Sequence, residues 1–85
     1  MQKNKSDAAQ ALTHKGTDAF NRKDYKEAFI YYSKAAEQGD AIAQYMSGEF
    51  YYHGEGVPQD KEKAVYWYTQ AAEQGNADAQ RTRRI

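Results

Sequence analysis

Residues 34–44 read Lys-Ala-Ala-Glu-Gln-Gly-Asp-Ala-Ile-Ala-Gln and residues 70–80 read Gln-Ala-Ala-Glu-Gln-Gly-Asn-Ala-Asp-Ala-Gln, identical at eight of eleven positions with an offset of 36 residues. The same offset carries Asp24 onto Asp60, Ala28 onto Ala64, Tyr31 onto Trp67 and Tyr32 onto Tyr68, so the repeat spans a whole supersecondary unit. Upstream the offset falls to 32, pairing Gly16 with Gly48, which places four extra residues in a lengthened loop at Gly54-Glu-Gly-Val-Pro-Gln-Asp60. A repeated unit that cannot bury its apolar stripe alone must stack on its neighbour.

Punctuation within the repeat predicts helices. Asp24 lies three residues before Glu27, a capping-box spacing, so a helix opens near Asp24, carries Ala28, Tyr32, Ala35 and Ala36 on one face and stops at Gly39. Asp40 caps a second helix that runs to Tyr52 or His53, Asp60 caps a third that ends at Gly75, and Asn76 caps a last short one. An earlier helix from about Ser6 to Asn21 completes the set. No segment alternates with period two, so the fold class is all-α. The reading divides the chain into a polar tail over 1–6 and one domain over 7–85, with repeat one over about 7–39, repeat two over about 40–75 and a partial third unit over 76–85.

Residues 41–76, with Ala43-Gln44, Gly48, Tyr51, Gly54, Gly56, Asp60, Ala64, Trp67-Tyr68, Ala71 and Gly75, resemble one complete Sel1-like repeat (SLR). Residues 9–40, with Gly16, Phe20, Asp24, Ala28 and Tyr32, are more similar to the shorter tetratricopeptide repeat (TPR), which lacks the loop insertion. The resemblance implies an α-α superhelix of two helical hairpins plus a short capping helix. In physical terms, small residues at Gly16 and Gly48 let the first helix of each pair approach the second, at Ala28, Ala35, Ala64 and Ala71, while Phe20, Tyr32, Phe50, Tyr51 and Tyr68 fill the remaining space. Where the family pattern has Leu before the helix-A glycine this chain has Lys15 and Ser47, which predicts a thin core.

The implied function is that of a non-enzymatic protein-interaction module, an adaptor or scaffold. By resemblance, its groove is lined by Gln10, Thr13, Thr17, Phe20 and Asn21 on the first helix and by Ile42, Tyr45, Glu49, Tyr52 and His53 on the second. Phe20, Ile42 and Tyr45 fit hairpin packing as well as they fit a groove, whereas Tyr52 and His53 belong to the surface. Seven aromatics between Tyr45 and Tyr68 cannot all point inward, since adjacent helical residues diverge by about 100°. The alternative is an adaptor that pairs with its own copy as a homodimer. The carboxylate-clamp groove of co-chaperone TPRs is excluded, because Thr13 and Thr17 stand where that clamp has Lys and Asn.

Other chemistry finds little support. The resembled family includes some cysteine-rich members associated with β-lactam binding or hydrolysis, which makes a hydrolase the different-class alternative. This chain has no cysteine, and its serines and histidines form no Ser-x-x-Lys, Gly-x-Ser-x-Gly or His-Glu-x-x-His motif. Glu49 and His53, four apart and followed by Glu55, are too few ligands for a metal site and read as a solvated i,i+4 pair. No cofactor is expected. Lys plus Arg and Asp plus Glu are 12 each, and the one basic run, Arg81-Thr-Arg83-Arg84, has no interleaved aromatics, so nucleic acid is not an expected partner. Without a membrane-spanning segment or the apolar stretch of a secretory signal, the expected setting is cytoplasmic by default.

Overall fold

The computed structural model describes residues 5–83, with side chains over 7–80. Five helices follow one another: α1 (Lys5–Asn21), α2 (Tyr25–Glu37), α3 (Ala41–His53), α4 (Lys61–Glu73) and α5 (Ala77–Arg83), with no strand among the described residues. Helices α1 and α2 form one hairpin and α3 and α4 a second; α3 lies against α2, and α5 lies against α4. The all-α solenoid is therefore present.

The predicted caps form. Asp24, Asp40, Asp60 and Asn76 each accept the backbone N–H three residues on, at 3.2, 3.0, 3.1 and 2.9 Å. The capping box at Asp24 is only half made, because the Glu27 carboxylate turns to Arg22 at 3.1 Å instead. Helices α2 and α4 stop two residues before Gly39 and Gly75, which take positive φ just beyond.

Inside each hairpin a glycine meets a tyrosine. A Cβ on Gly48 would fall 2.7 Å from the Tyr68 ring and 3.2 Å from the Ala64 carbonyl oxygen, and one on Gly16 would fall 3.0 Å from the Tyr32 ring. At Gly48 only glycine lets the paired helices come this close, while the contact at Gly16 is marginal. Phe50, 1% exposed, joins the hairpins: its ring sits 6.1 Å from Phe20, 6.0 Å from Phe29 and 5.7 Å from Tyr32. Much of the remaining core is alanine, including Ala28, Ala35, Ala64 and Ala71.

The repeated glutamines seal the junctions between helices. Gln44 Nε2 donates to the Ala36 carbonyl at 3.2 Å, and Gln80 Nε2 donates to the Ala72 carbonyl at 3.1 Å. Both acceptors are helix-end carbonyls that also take the backbone N–H of Gly39 and of Gly75, at 3.0 and 2.9 Å. Gln74 Nε2 then ties the second hairpin to the first, donating to the Gly39 carbonyl and to Gln44 Oε1, both at 2.8 Å.

The inserted loop is not a free excursion. Gly56, at φ +73°, packs so closely on the start of α2 that a Cβ would lie 2.6 Å from the Tyr25 carbonyl oxygen, and Val57 packs on the core. Asp60 N–H closes the loop onto the Tyr51 carbonyl at 2.9 Å. Ser47 is buried as a thin core requires, but its hydroxyl has no hydrogen-bond partner among the described residues. Lys15 lies exposed, its ammonium 5.9 Å from the Tyr31 ring centroid.

Candidate functional site: the α1/α3 groove

Helical periodicity puts Gln10, Thr13, Thr17 and Asn21 on one stripe of α1 and Ile42, Tyr45, Glu49 and Tyr52 on one stripe of α3. Between the two helices lies a cavity of about 340 Å³ lined by Gln10, Thr13, His14, Thr17, Asp40 and Ile42. Four of the ten residues expected in the groove thus meet. His14 and Asp40 join them unanticipated: Asp40 reads in the sequence only as a helix cap, and His14 lies one position beside the α1 stripe.

The members of this set differ in how they face the cavity. Ile42 is 58% exposed, so its apolar side chain is surface and not hairpin packing. Thr13 is 5% exposed, and its Oγ1 has no hydrogen-bond partner among the described residues. Thr17 Oγ1 donates to the Thr13 carbonyl at 3.1 Å; its single proton is thereby used, so at the 2.7 Å contact the Tyr32 phenol donates to Thr17.

The other expected residues lie outside the cavity. Phe20 turns to the Tyr25 and Phe50 rings, and Tyr45 packs 5.7 Å from the Tyr68 ring and against Ala71, Ala72 and Ala79. Both therefore work mainly in packing. Asn21 is exposed at the end of α1. Glu49 lies two turns beyond Ile42; its Oε2 accepts the Tyr68 phenol at 2.7 Å and its Oε1 lies 3.3 Å from His53 Nε2. This is the i,i+4 pair anticipated, and among the described residues no group of three or more His, Cys, Asp or Glu could hold a metal ion. Tyr52 is 41% exposed, edge-on to His53, with the Lys61 ammonium 5.6 Å from its ring centroid.

Electrostatically, Asp40 and Glu49 are the carboxylates of the groove, and none of the residues expected or found there is Lys or Arg. Burial raises the pKa of the Tyr32 and Tyr68 phenols, and at Tyr68 the adjacent Glu49 carboxylate raises it further. Both phenols are therefore fixed as neutral donors. The basic side chains of residues 81–84 and residues 1–4 of the polar tail expected over 1–6 lie outside the described residues, while Lys5 and Ser6 open α1. No helix among the described residues is long and apolar enough to cross a membrane.

Comparison with known proteins agrees with this geometry. The rat and mouse proteins named "DAP3-binding cell death enhancer 1" are 44% and 45% identical over 65% and 56% of this chain, and an uncharacterized Sel1-like repeat-containing protein of Schizosaccharomyces pombe is 47% identical over 45% of it. The chain spans only 11%, 9% and 6% of the length of these relatives. Among solved structures, a Sel1 repeat protein from Oxalobacter formigenes superposes with a TM-score of 0.85 at 38% identity, covering 89% of this chain and 60% of that one. A protective antigen of uropathogenic Escherichia coli displaying an SLR fold gives 0.83 at 36% identity, covering 87% of this chain and 17% of that one. The Sel1 repeat, generally a protein–protein interaction fold, matches residues 14–40 and 41–76, so the first hairpin, closer to a TPR when read alone, is a second copy of the same repeat. With both hairpins matched and the solenoid geometry shared, this chain is a member of the Sel1 repeat family.

Proposed function

We propose that the chain is a non-enzymatic adaptor that binds a peptide or protein segment along the α1/α3 groove. The observation that carries this reading is the cavity between α1 and α3, where polar Gln10, Thr13 and Thr17 face apolar Ile42. Hydrogen-bonding groups beside an exposed apolar side chain suit a peptide, whose backbone needs partners and whose side chains need cover. The names of the rat and mouse relatives, which record binding to another protein, support the same class of function.

Selection of twelve-residue peptides on phage, against the immobilised chain, tests the reading. Selected peptides should lose about tenfold in affinity for Ile42→Ala and Tyr52→Ala and remain within about twofold for Tyr66→Ala, an exposed residue of α4 outside the groove. Peptides that respond to Tyr66→Ala alone, or to none of the three, would overturn it.

A further inference from the structure

The two junctions of the solenoid share one pattern, and only the first is filled throughout. On α2, Phe29, Tyr32 and Ala36 meet α3, and Tyr25 begins their stripe; 36 residues on, α4 carries Lys61, Val65, Tyr68 and Ala72 at the same turns. The C-terminal half of each stripe is closed alike: Gln44 bonds the Ala36 carbonyl, Gln80 bonds the Ala72 carbonyl, and Ala79 clusters with Ala72. The N-terminal halves differ. Phe50 of α3 stands 6.1 Å from Phe20 and 6.0 Å from Phe29, leaving Phe29 half-buried. The repeat counterparts of Phe20 and Phe29 are Tyr52 and Val65, 41% and 58% exposed, and among the described residues none takes the place of Phe50 between them.

The walls of that open place fix what suits it. Lys61 and Val65, four apart, lie on one face of α4, and the Lys61 ammonium stands 5.6 Å from the Tyr52 ring centroid. An aromatic ring seated there would cover Val65 as Phe50 covers Phe29, meet the Tyr52 ring as Phe50 meets Phe20, and turn its face to the Lys61 ammonium. An aliphatic side chain would use Val65 alone, and a carboxylate Lys61 alone. The carrier is a helix, since α3 is what brings Phe50 to the equivalent place; the stretch from Lys61 to Tyr68, in which Lys61 and Val65 are exposed, is about 10 Å long, or two turns. A second copy of this chain is a poor source of the ring, because its own Phe50 is 1% exposed and engaged.

We infer that Tyr52, Lys61 and Val65 form a socket for an aromatic side chain carried on a helix of a partner protein, which lies on α4 as the Phe50 half of α3 lies on α2. The mode is continuation of a repeat junction by a foreign helix, with one buried ring as its anchor. Of the residues named for the α1/α3 groove the socket uses only Tyr52, so the two surfaces stand or fall separately.

The probe is a capped peptide of residues 47–53, the half of α3 that carries Phe50, held helical by a lactam from Glu49 to a lysine in place of His53; its control is the same peptide with Phe50→Ala. Each is titrated into the ¹⁵N-labelled full chain. The phenylalanine peptide should move the amides of Tyr52 and of residues 61–68 and bind about tenfold tighter than the alanine control. In the chain, Val65→Asp should abolish binding and Val65→Ala should weaken it about fivefold, while Ile42→Ala leaves it within about twofold. Both Val65 variants should keep the fold, because the side chain is 58% exposed. Equal affinity for the two peptides, binding that survives Val65→Asp, or no saturable shift up to about 2 mM would overturn the inference. So would a dimer, seen by light scattering, that Val65→Asp dissociates, since the occupant would then be a second copy. Loss of binding on Ile42→Ala with none on Val65→Asp would put the peptide in the α1/α3 groove, sinking the socket and leaving the groove reading in place. Loss on Val65→Asp with none on Ile42→Ala upholds the socket even if phage selection against the groove fails.

Discussion

In the first hairpin the Tyr32 phenol crosses Gly16 and ends on the Thr17 hydroxyl; in the second the Tyr68 phenol crosses Gly48 and ends on the Glu49 carboxylate. The helix contact is the same, but its polar end differs. A neutral partner seals one hairpin, while the other places a charged group at the groove. The turns differ as well. Between α1 and α2 the chain reverses through Lys23 at φ +65°, whereas between α3 and α4 it uses Gly54 and Gly56 and docks the loop on Tyr25. A Sel1 repeat can thus keep its packing and vary its groove and its loop.

The largest expected effect breaks the joint between the hairpins. Phe50→Ala removes the ring that touches Phe20, Phe29 and Tyr32, and should cost about 3–5 kcal/mol in chemical denaturation, enough to abolish cooperative folding in a domain of this size. Next is the glycine contact. Gly48→Leu should destabilise by about 3 kcal/mol, and Gly48→Ala should lower the melting temperature. Gly16→Ala should be near neutral, since a better helix former there faces only the marginal 3.0 Å contact with Tyr32. Equal losses at both glycines would refute the hairpin geometry.

The polar ends follow. Tyr68→Phe should cost about 2 kcal/mol and Tyr32→Phe about 1 kcal/mol, because a hydrogen bond to a carboxylate is stronger than one to a hydroxyl. Both phenols have folded-state pKa values raised above the ordinary 10.0, so the stability they supply is complete below pH 10 and is lost as pH rises past it. Melting temperature measured from pH 8 to 11 should fall, and Tyr68→Phe should flatten that fall more than Tyr32→Phe. The smallest effect sharpens the turn comparison. Lys23→Gly should stabilise by about 0.5 kcal/mol, since a left-handed backbone costs lysine more than glycine loses in the unfolded chain.

Much of the fold was legible because it is written in residues with one dominant physical use. Asp and Asn at caps, Gly at helix ends and an Ala stripe repeating at 36 residues place every helix to within about two residues. The glutamines were visible as identities at Gln44 and Gln80, but their bonds to the Ala36 and Ala72 carbonyls were not, because a side-chain amide has no partner preference that a linear pattern reveals. The groove was legible only in part. The family resemblance named Gln10, Thr13, Thr17 and Ile42, which line one cavity, but it also named Phe20 and Tyr45, which three-dimensional packing takes inward. It missed Asp40, which caps α3 and also lines the cavity, and it could not foresee that Glu27 would leave its cap for Arg22.

The central claim is that the α1/α3 groove is open to a foreign segment. Absolute mass by light scattering, over about a hundredfold range of concentration, tests it most directly. The account predicts a monomer of 9.7 kDa throughout, with the groove free. A stable dimer that Ile42→Ala or Tyr52→Ala dissociates would contradict it, because the groove would then already be occupied by a second copy of the chain.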